Sequence, residues 1–219
     1  MSEKFHAELE DTKAHILSMA AMAEDMLRDS MTALEQHDTG LAMKVKERKT
    51  LLSEKNDTLE DEVYQLIARY QPVAKDMRAI ACALKVISAT ERIGRYGKDI
   101  ANVVIKTPED SRFEDLVRAL SLPHMSELVL SMIHDTIRAY DTGDISLIAH
   151  HSERDDRVDA LRHTIFRDGI TYMMEDPRTI TRCTNYLMVA RYLERSADHS
   201  CKIAEKVHYM VTGERIEIR

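Results

Sequence analysis

Apolar residues recur along this chain at alternating spacings of three and four. Leu9, Ile16, Met19, Ala23, Met26 and Leu34 form one stripe, and Met77, Ile80, Leu84 and Ile87 form another. Near the C-terminus Ile180, Cys183, Leu187 and Ala190 keep the same rhythm. That period puts each set on one face of a helix, and long helices of this kind pack as antiparallel bundles. Breakers mark the ends: Asp38-Thr39-Gly40, Gln71-Pro72, Thr107-Pro108-Glu109-Asp110, Asp141-Thr142-Gly143-Asp144, Glu175-Asp176-Pro177 and Thr212-Gly213. Pro123 opens a helix, and Asp176-Pro177 reads as a cap followed by a first helical turn. The pattern predicts helices over 3–37, 40–70, 75–106, 123–141, 144–174 and 177–211.

The order of these elements repeats. Asp38-Thr39-Gly40 recurs as Asp141-Thr142-Gly143 and Glu91-Arg92 as Glu194-Arg195, both at an offset of 103. Asp76-Met77-Arg78 recurs as Asp176-Pro177-Arg178 at an offset of 100. A duplicated three-helix unit follows. The expected fold is all-α, with two tandem antiparallel three-helix bundles over 1–106 and 123–219 and a connecting segment over 107–122.

Composition narrows the class. Six Gly and four Pro in 219 residues leave too few turns for a β-sandwich or barrel. A 44% hydrophobic share is too high for a disordered chain. No apolar run is long enough to span a membrane, and Met1-Ser2-Glu3-Lys4-Phe5-His6 lacks the pattern of a secretory signal. A net charge of −7 argues against nucleic-acid binding. Cys82, Cys183 and Cys201 form no CxxC and read as buried, reduced thiols. Met19, Met22 and Met26 read as core filling. No Gly-rich phosphate loop, GxSxG or HExxH is present.

The candidate chemistry lies in acids that stand where the stripe calls for a hydrophobe. Counting on from Ile180 by threes and fours reaches Glu194, with Asp198 one turn further. The same count from Met77 reaches Glu91. Asp155 and Asp159, also at i and i+4, border the stripe Leu147, His151, Val158, Leu161 and Ile165. A carboxylate facing a bundle interior must be paired, neutralised or metal-bound. If the fifth and sixth helices are neighbours, Asp155, Asp159, Glu194 and Asp198 present an oxygen-ligand set for a hard cation. The alternatives are solvated charge, or pairing of Glu194 with Arg191 or Arg195. A carboxylate-bridged di-metal oxidase would instead use the Glu-x-x-His pairs Glu3/His6 and Glu205/His208. Asp76 and Asp176 read as helix caps.

Residues Ile67-Ala68-Arg69-Tyr70-Gln71-Pro72-Val73-Ala74-Lys75-Asp76-Met77-Arg78 resemble the LIAxxQPxAxDLR signature of the PhoU family. Leu84-Lys85 followed by Glu91-Arg92-Ile93-Gly94 resembles the approach to its ERIGD motif. Ala190-Arg191-Tyr192-Leu193-Glu194-Arg195-Ser196-Ala197-Asp198-His199 resembles ARxLERIGDHA, and the ending Tyr209 to Glu214 fits too. The resemblance runs through both repeats. It implies two tandem three-helix bundles and a cytoplasmic, non-enzymatic regulator that damps phosphate uptake. The implied partners are the ATPase subunit of a phosphate ABC transporter and a sensor histidine kinase, with a role as accessory subunit of another transporter as the alternative. A homodimer is left open.

The resemblance also implies metal clusters held by E(D)xxxD pairs from adjacent helices. The second bundle keeps Asp155 with Asp159 and Glu194 with Asp198. The first keeps Glu91 but has Arg95, Lys49 and Ser53 at the other three places. Lys and Arg offer only protonated donors and would neutralise Glu91 by ion pairing. Other family positions also differ between repeats: Lys85 corresponds to Asn185, and Asp99 and Lys202 stand where an Asn is usual. The expectation is a metal site in the second bundle only. All-carboxylate ligation favours iron, manganese, magnesium or calcium, while His151 and His199 would shift it toward zinc.

Overall fold

The computed structural model describes residues 3–108, 110 and 115–218. Seven α-helices are present among them: α1 Glu3–Gln36, α2 Thr39–Tyr70, α3 Lys75–Lys106, α4 Leu116–Ala119, α5 Leu122–Thr142, α6 His151–Glu175 and α7 Ile180–Thr212. No strand occurs among the described residues. Helices α1, α2 and α3 pack on one another, as do α5, α6 and α7. Helix α3 also packs along α7, and α1 against α5. One layer therefore runs in the order α2, α3, α7, α6, backed by α1 and α5. Of the predicted connecting segment, Glu109 and residues 111–114 lie outside the described residues; the remainder contains α4 and the start of α5.

Two helix starts differ from the sequence reading. The helix expected over 144–174 opens with a 3₁₀ turn, Ile145–Ile148, and becomes α-helical at His151. The helix expected from 177 opens with a 3₁₀ turn over Pro177–Thr179, capped by Asp176, which accepts from the Arg178 N–H at 3.0 Å. Asp76 does not cap α3. Ala74 holds the cap position without a side-chain bond, and Asp76 sits in the first turn, 3.5 Å from the His6 ring.

The repeated Asp-Thr-Gly does opposite work in the two halves. Asp38 opens α2 by accepting from the Leu41 N–H at 2.9 Å, after His37 has turned the chain out of α1 at φ 51°. In the second half Gly143, at φ 74°, closes α5 and Asp144 is the cap, accepting from the Ser146 N–H at 3.0 Å. Asp38 thus corresponds to Asp144, an offset of 106. The Arg48–Asp29 ion pair at 2.6 Å recurs as Arg154–Asp135 at 2.8 Å with the same offset. The first two helices of the repeat are therefore related by 106, and the third, through Glu91 and Glu194, by 103.

The stripes bury as expected through their middles. Ile16, Met19, Ala23, Met26, Leu52, Leu59, Ile80 and Ile87 are buried in the core, as are Cys183, Ala190, Ala197, Val129, Met132 and Val158. Met19 and Met26 are fully buried, Met22 packs against the core, and all three cysteines are buried and free. The stripes fray at Met77 and Ile180, which are exposed. Helix α7 buries a wider face than its stripe, including Tyr186, Val189, Leu193 and Ile203, because α3 covers a side that a lone bundle would leave wet.

Candidate metal centre

Helices α6 and α7 run side by side in opposite directions, and their contacts set the register of the four acids. Arg162 lies 3.8 Å from Glu194, and a Cβ on Gly169 would touch Leu187. Asp155, Asp159 and Asp198 line one cleft of about 600 Å³ with Lys85 and Tyr96 from α3 and Arg195, His199, Cys201 and Lys202 from α7. Glu194 stands just outside that lining, with its side chain 16% exposed. The four predicted residues are thus on facing flanks of two adjacent helices.

Their electrostatics are those of crowded acids. Burial, then repulsion from Asp198 and Asp159, pushes the Asp155 carboxyl up to about 6, against a bond from Cys201 that pulls it down. Burial and Asp198 raise Glu194, with Arg195 and Arg162 opposing. Burial raises Asp198, and Arg195 opposes. Each group resists ionisation because charge is desolvated next to like charge.

The donor chemistry fits a hard cation: every candidate atom is a carboxylate oxygen, and a divalent ion would relieve the repulsion. The side chains are not gathered into a finished ligand shell. Among the described residues no group of three or more His, Cys, Asp or Glu side chains is placed to hold an ion. Arg195 instead reaches Asp198 at 3.2 Å and Glu194 at 3.7 Å, and Arg162 shares Glu194. Arg195, not Arg191, is therefore the partner of Glu194 that the sequence left open. The sequence reading missed Arg162, although it lies seven residues after Asp155 on the same flank of α6.

The first bundle departs as its sequence suggested, with one correction. Arg95 pairs with Glu91 at 3.6 Å, and the Ser53 hydroxyl lies 3.5 Å from the same carboxylate oxygen. Lys49 makes no ion pair with Glu91 among the described residues; Arg95 alone supplies the counter-charge.

The two histidines part company. His151 is fully buried away from the acids, its Nε2 2.7 Å from the Thr136 hydroxyl and 3.2 Å from the Met132 carbonyl, with Thr136 bonded on to Ser200 at 2.8 Å. Burial lowers its pKa and keeps the ring neutral, and its Nε2 contacts run to α5 rather than toward the four acids. His199 does line the cleft, tilted against Tyr96; burial and then Lys85, Arg92 and Arg195 push it down to about 4.

The Glu-x-x-His pairs of the oxidase reading are engaged elsewhere. His6 faces Asp76, Glu205 holds Lys202 and the Ile218 N–H, and His208 meets the Glu214 carbonyl at 3.1 Å. No helix is long and apolar enough to cross a membrane among the described residues.

Comparison with known proteins gives a consistent result. The PhoU domain matches twice, over residues 16–104 and 122–207. A phosphate-specific transport system accessory protein PhoU homologue of Rhizobium meliloti (strain 1021) is 36% identical over 209 residues, covering 95% of this chain and 87% of the relative. A homologue of the same description from Caulobacter vibrioides is 36% identical over 218 residues, covering 98% and 92%. The crystal structure of PhoU from Pseudomonas aeruginosa superimposes with a TM-score of 0.88 at 35% identity, over 96% of this chain and 100% of that one. That of the phosphate transport system regulatory protein PhoU from Streptococcus pneumoniae shares the fold, with a TM-score of 0.86 at 24% identity over 97% and 99% of the two chains.

Proposed function

The chain belongs to the PhoU family, and from that premise we propose that it is a regulatory adaptor of phosphate uptake. In this reading it damps phosphate import and phosphate-starvation signalling by binding the ATPase subunit of a phosphate ABC transporter, a sensor histidine kinase, or both. The observation that carries the reading is the match over both bundles to proteins named for accessory function in phosphate-specific transport. An adaptor needs surface rather than a nucleophile, which agrees with a sequence holding no recognisable catalytic motif. Co-purification of the full chain with the transporter ATPase and with the kinase, at high and at low phosphate, tests it. A stable complex with at least one of them is expected, and its absence under both conditions would contradict the reading.

The second bundle, in the same reading, carries a divalent or trivalent hard cation such as iron, manganese or magnesium, held by Asp155, Asp159, Glu194 and Asp198. When bound, the ion supplies positive charge that neutralises the crowded acids and ties α6 to α7. Three of the four acids have carboxyls raised by burial and mutual repulsion, which supports this assignment. In the first bundle Arg95 takes the corresponding role as counter-charge.

A further inference from the structure

Helix α7 ends at Gly213, whose φ of 79° turns the chain back on itself. Residues 214–218 then run without helical structure along α7 toward its start. The Glu214 N–H donates to the Thr212 hydroxyl at 3.0 Å, and the Glu214 carbonyl meets His208 Nδ1 at 3.1 Å. The Arg215 guanidinium lies over the Tyr209 ring, 5.4 Å from its centroid. The Ile218 N–H donates to Glu205 Oε1 at 3.1 Å, an oxygen that also accepts from Lys202 at 2.7 Å. Extended chain from Glu214 to Ile218 covers about 13 Å, the same as helix from Glu214 back to Glu205, which is why the two keep step. The strap ends in the cleft of Asp155, Asp159 and Asp198. Ile218 is 9% exposed and lines that cleft beside Lys85, Cys201 and Lys202, whereas Ile216 is 39% exposed and lies outside it.

We propose that residues 214–218 are a latch that controls solute entry to this cleft, with Ile218 as its bolt and Glu205 as its catch. Docked, the Ile218 side chain closes the cleft between Lys85 of α3 and Cys201 of α7. Released, it opens that side to water and to small solutes, divalent cations included. A short strap tied by a few hydrogen bonds and one buried aliphatic group opens far more readily than the bundle unfolds. Glu205 couples the strap to the charges of the cleft, because the oxygen that holds Ile218 also holds Lys202, and Lys202 in turn attracts Asp198. Opening the strap therefore changes both the access to the acids and the cation beside them.

Alkylation of the metal-free full chain by N-ethylmaleimide, followed at each cysteine by mass spectrometry of the digested protein, tests the latch. Cys201 is 2% exposed and lines the cleft. Cys183 is fully buried on the same helix, about 27 Å away, and reports any general loosening of the bundle. Ile218→Ser and Glu205→Ala are each expected to raise the Cys201 rate about tenfold relative to Cys183. Ile216→Ser makes the same chemical change outside the cleft and is expected to leave the ratio as in wild type. A Cys201 rate unchanged in Ile218→Ser or in Glu205→Ala overturns the proposal, as does an equal rise at Cys183 or as large a rise in Ile216→Ser. The latch acts on the cleft of the metal assignment, but this readout needs no ion. A chain that binds no metal would strike that assignment and leave the alkylation rates to decide the latch.

Discussion

Arg95 Nη1 lies 3.6 Å from Glu91 Oε1 on α3, one turn along, at the place where α7 carries Asp198 after Glu194. Glu91 thus pairs with Arg95, whereas Glu194 meets Arg195 and Arg162 and is also repelled by Asp198 and Asp159. Glu91 is only 14% exposed at its side chain, so its counter-charge matters. Arg95→Asp is expected to destabilise the protein by about 1 kcal/mol in urea denaturation. Arg95→Asp with Lys49→Asp rebuilds most of the second bundle's oxygen set and is expected to add cation binding. Metal content measured in an Asp198→Ala background reads this directly.

The Asp155 carboxyl gives a pH dependence whose sign is fixed. Its pKa is raised in the folded protein to about 6, above the ordinary Asp value of 3.8, so the folded state holds the proton more tightly than the unfolded one. Its contribution to stability is therefore present at low pH and lost as pH rises from about 4 to about 6. Thermal unfolding of metal-free protein should show this contribution as a difference from Asp155→Asn, which lacks the titration. The variant should be the more stable of the two above pH 7, and an equal or lower Tm there would contradict the electrostatic description.

Gly97 lets α1 and α3 touch. A Cβ at this position would lie 2.8 Å from the Met26 carbonyl carbon and oxygen, which are backbone and cannot rotate away. Gly97→Ala should therefore cost about 2 kcal/mol, measured by chemical denaturation. The corresponding position of the second bundle holds Ser200, whose hydroxyl bonds to Thr136 at 2.8 Å, so α5 and α7 leave room for a side chain. Ser200→Ala should cost less than Gly97→Ala, because it removes a bond without forcing helices apart.

The Arg154–Asp135 pair joins α5 to α6, as Arg48–Asp29 joins α1 to α2. Arg154 also donates to the Ser131 hydroxyl, and its side chain is only 18% exposed. Arg154→Ala is expected to lower stability by about 1–2 kcal/mol, more than an exposed pair would give. A double-mutant cycle with Asp135→Ala should show coupling between the two, and additivity of the single losses would contradict a direct interaction.

The helices were legible because hydrophobic spacing and breakers act locally. The stripe through Met19, Met26, Ile80 and Ile87 needs no knowledge of neighbours to be recognised. Features set by neighbours were harder to read. His37, placed at the end of the first helix by the sequence pattern, adopts a left-handed turn, and Asp144 rather than Asp141 is the counterpart of Asp38, so the offset differs by three residues between helices. Glu194 was legible as an interruption of the stripe, with Asp198 one turn on and Asp155 and Asp159 at its border, and the packing of α6 on α7 places Asp155, Asp159 and Asp198 along one cleft with Glu194 just outside it. His151 was misleading, since its Nε2 turns to Thr136 and a carbonyl of α5 instead of facing the acids. Arg195 as the bridge between Glu194 and Asp198 depends on side-chain reach, which spacing alone leaves open.

The most direct test of the assignment to the second bundle is metal analysis of the purified full chain, run in parallel on wild type, Asp198→Ala and Glu91→Ala. Bound iron, manganese or magnesium is expected in wild type and Glu91→Ala and should be lost in Asp198→Ala. Metal that survives Asp198→Ala, or that disappears equally with Glu91→Ala, would contradict the account.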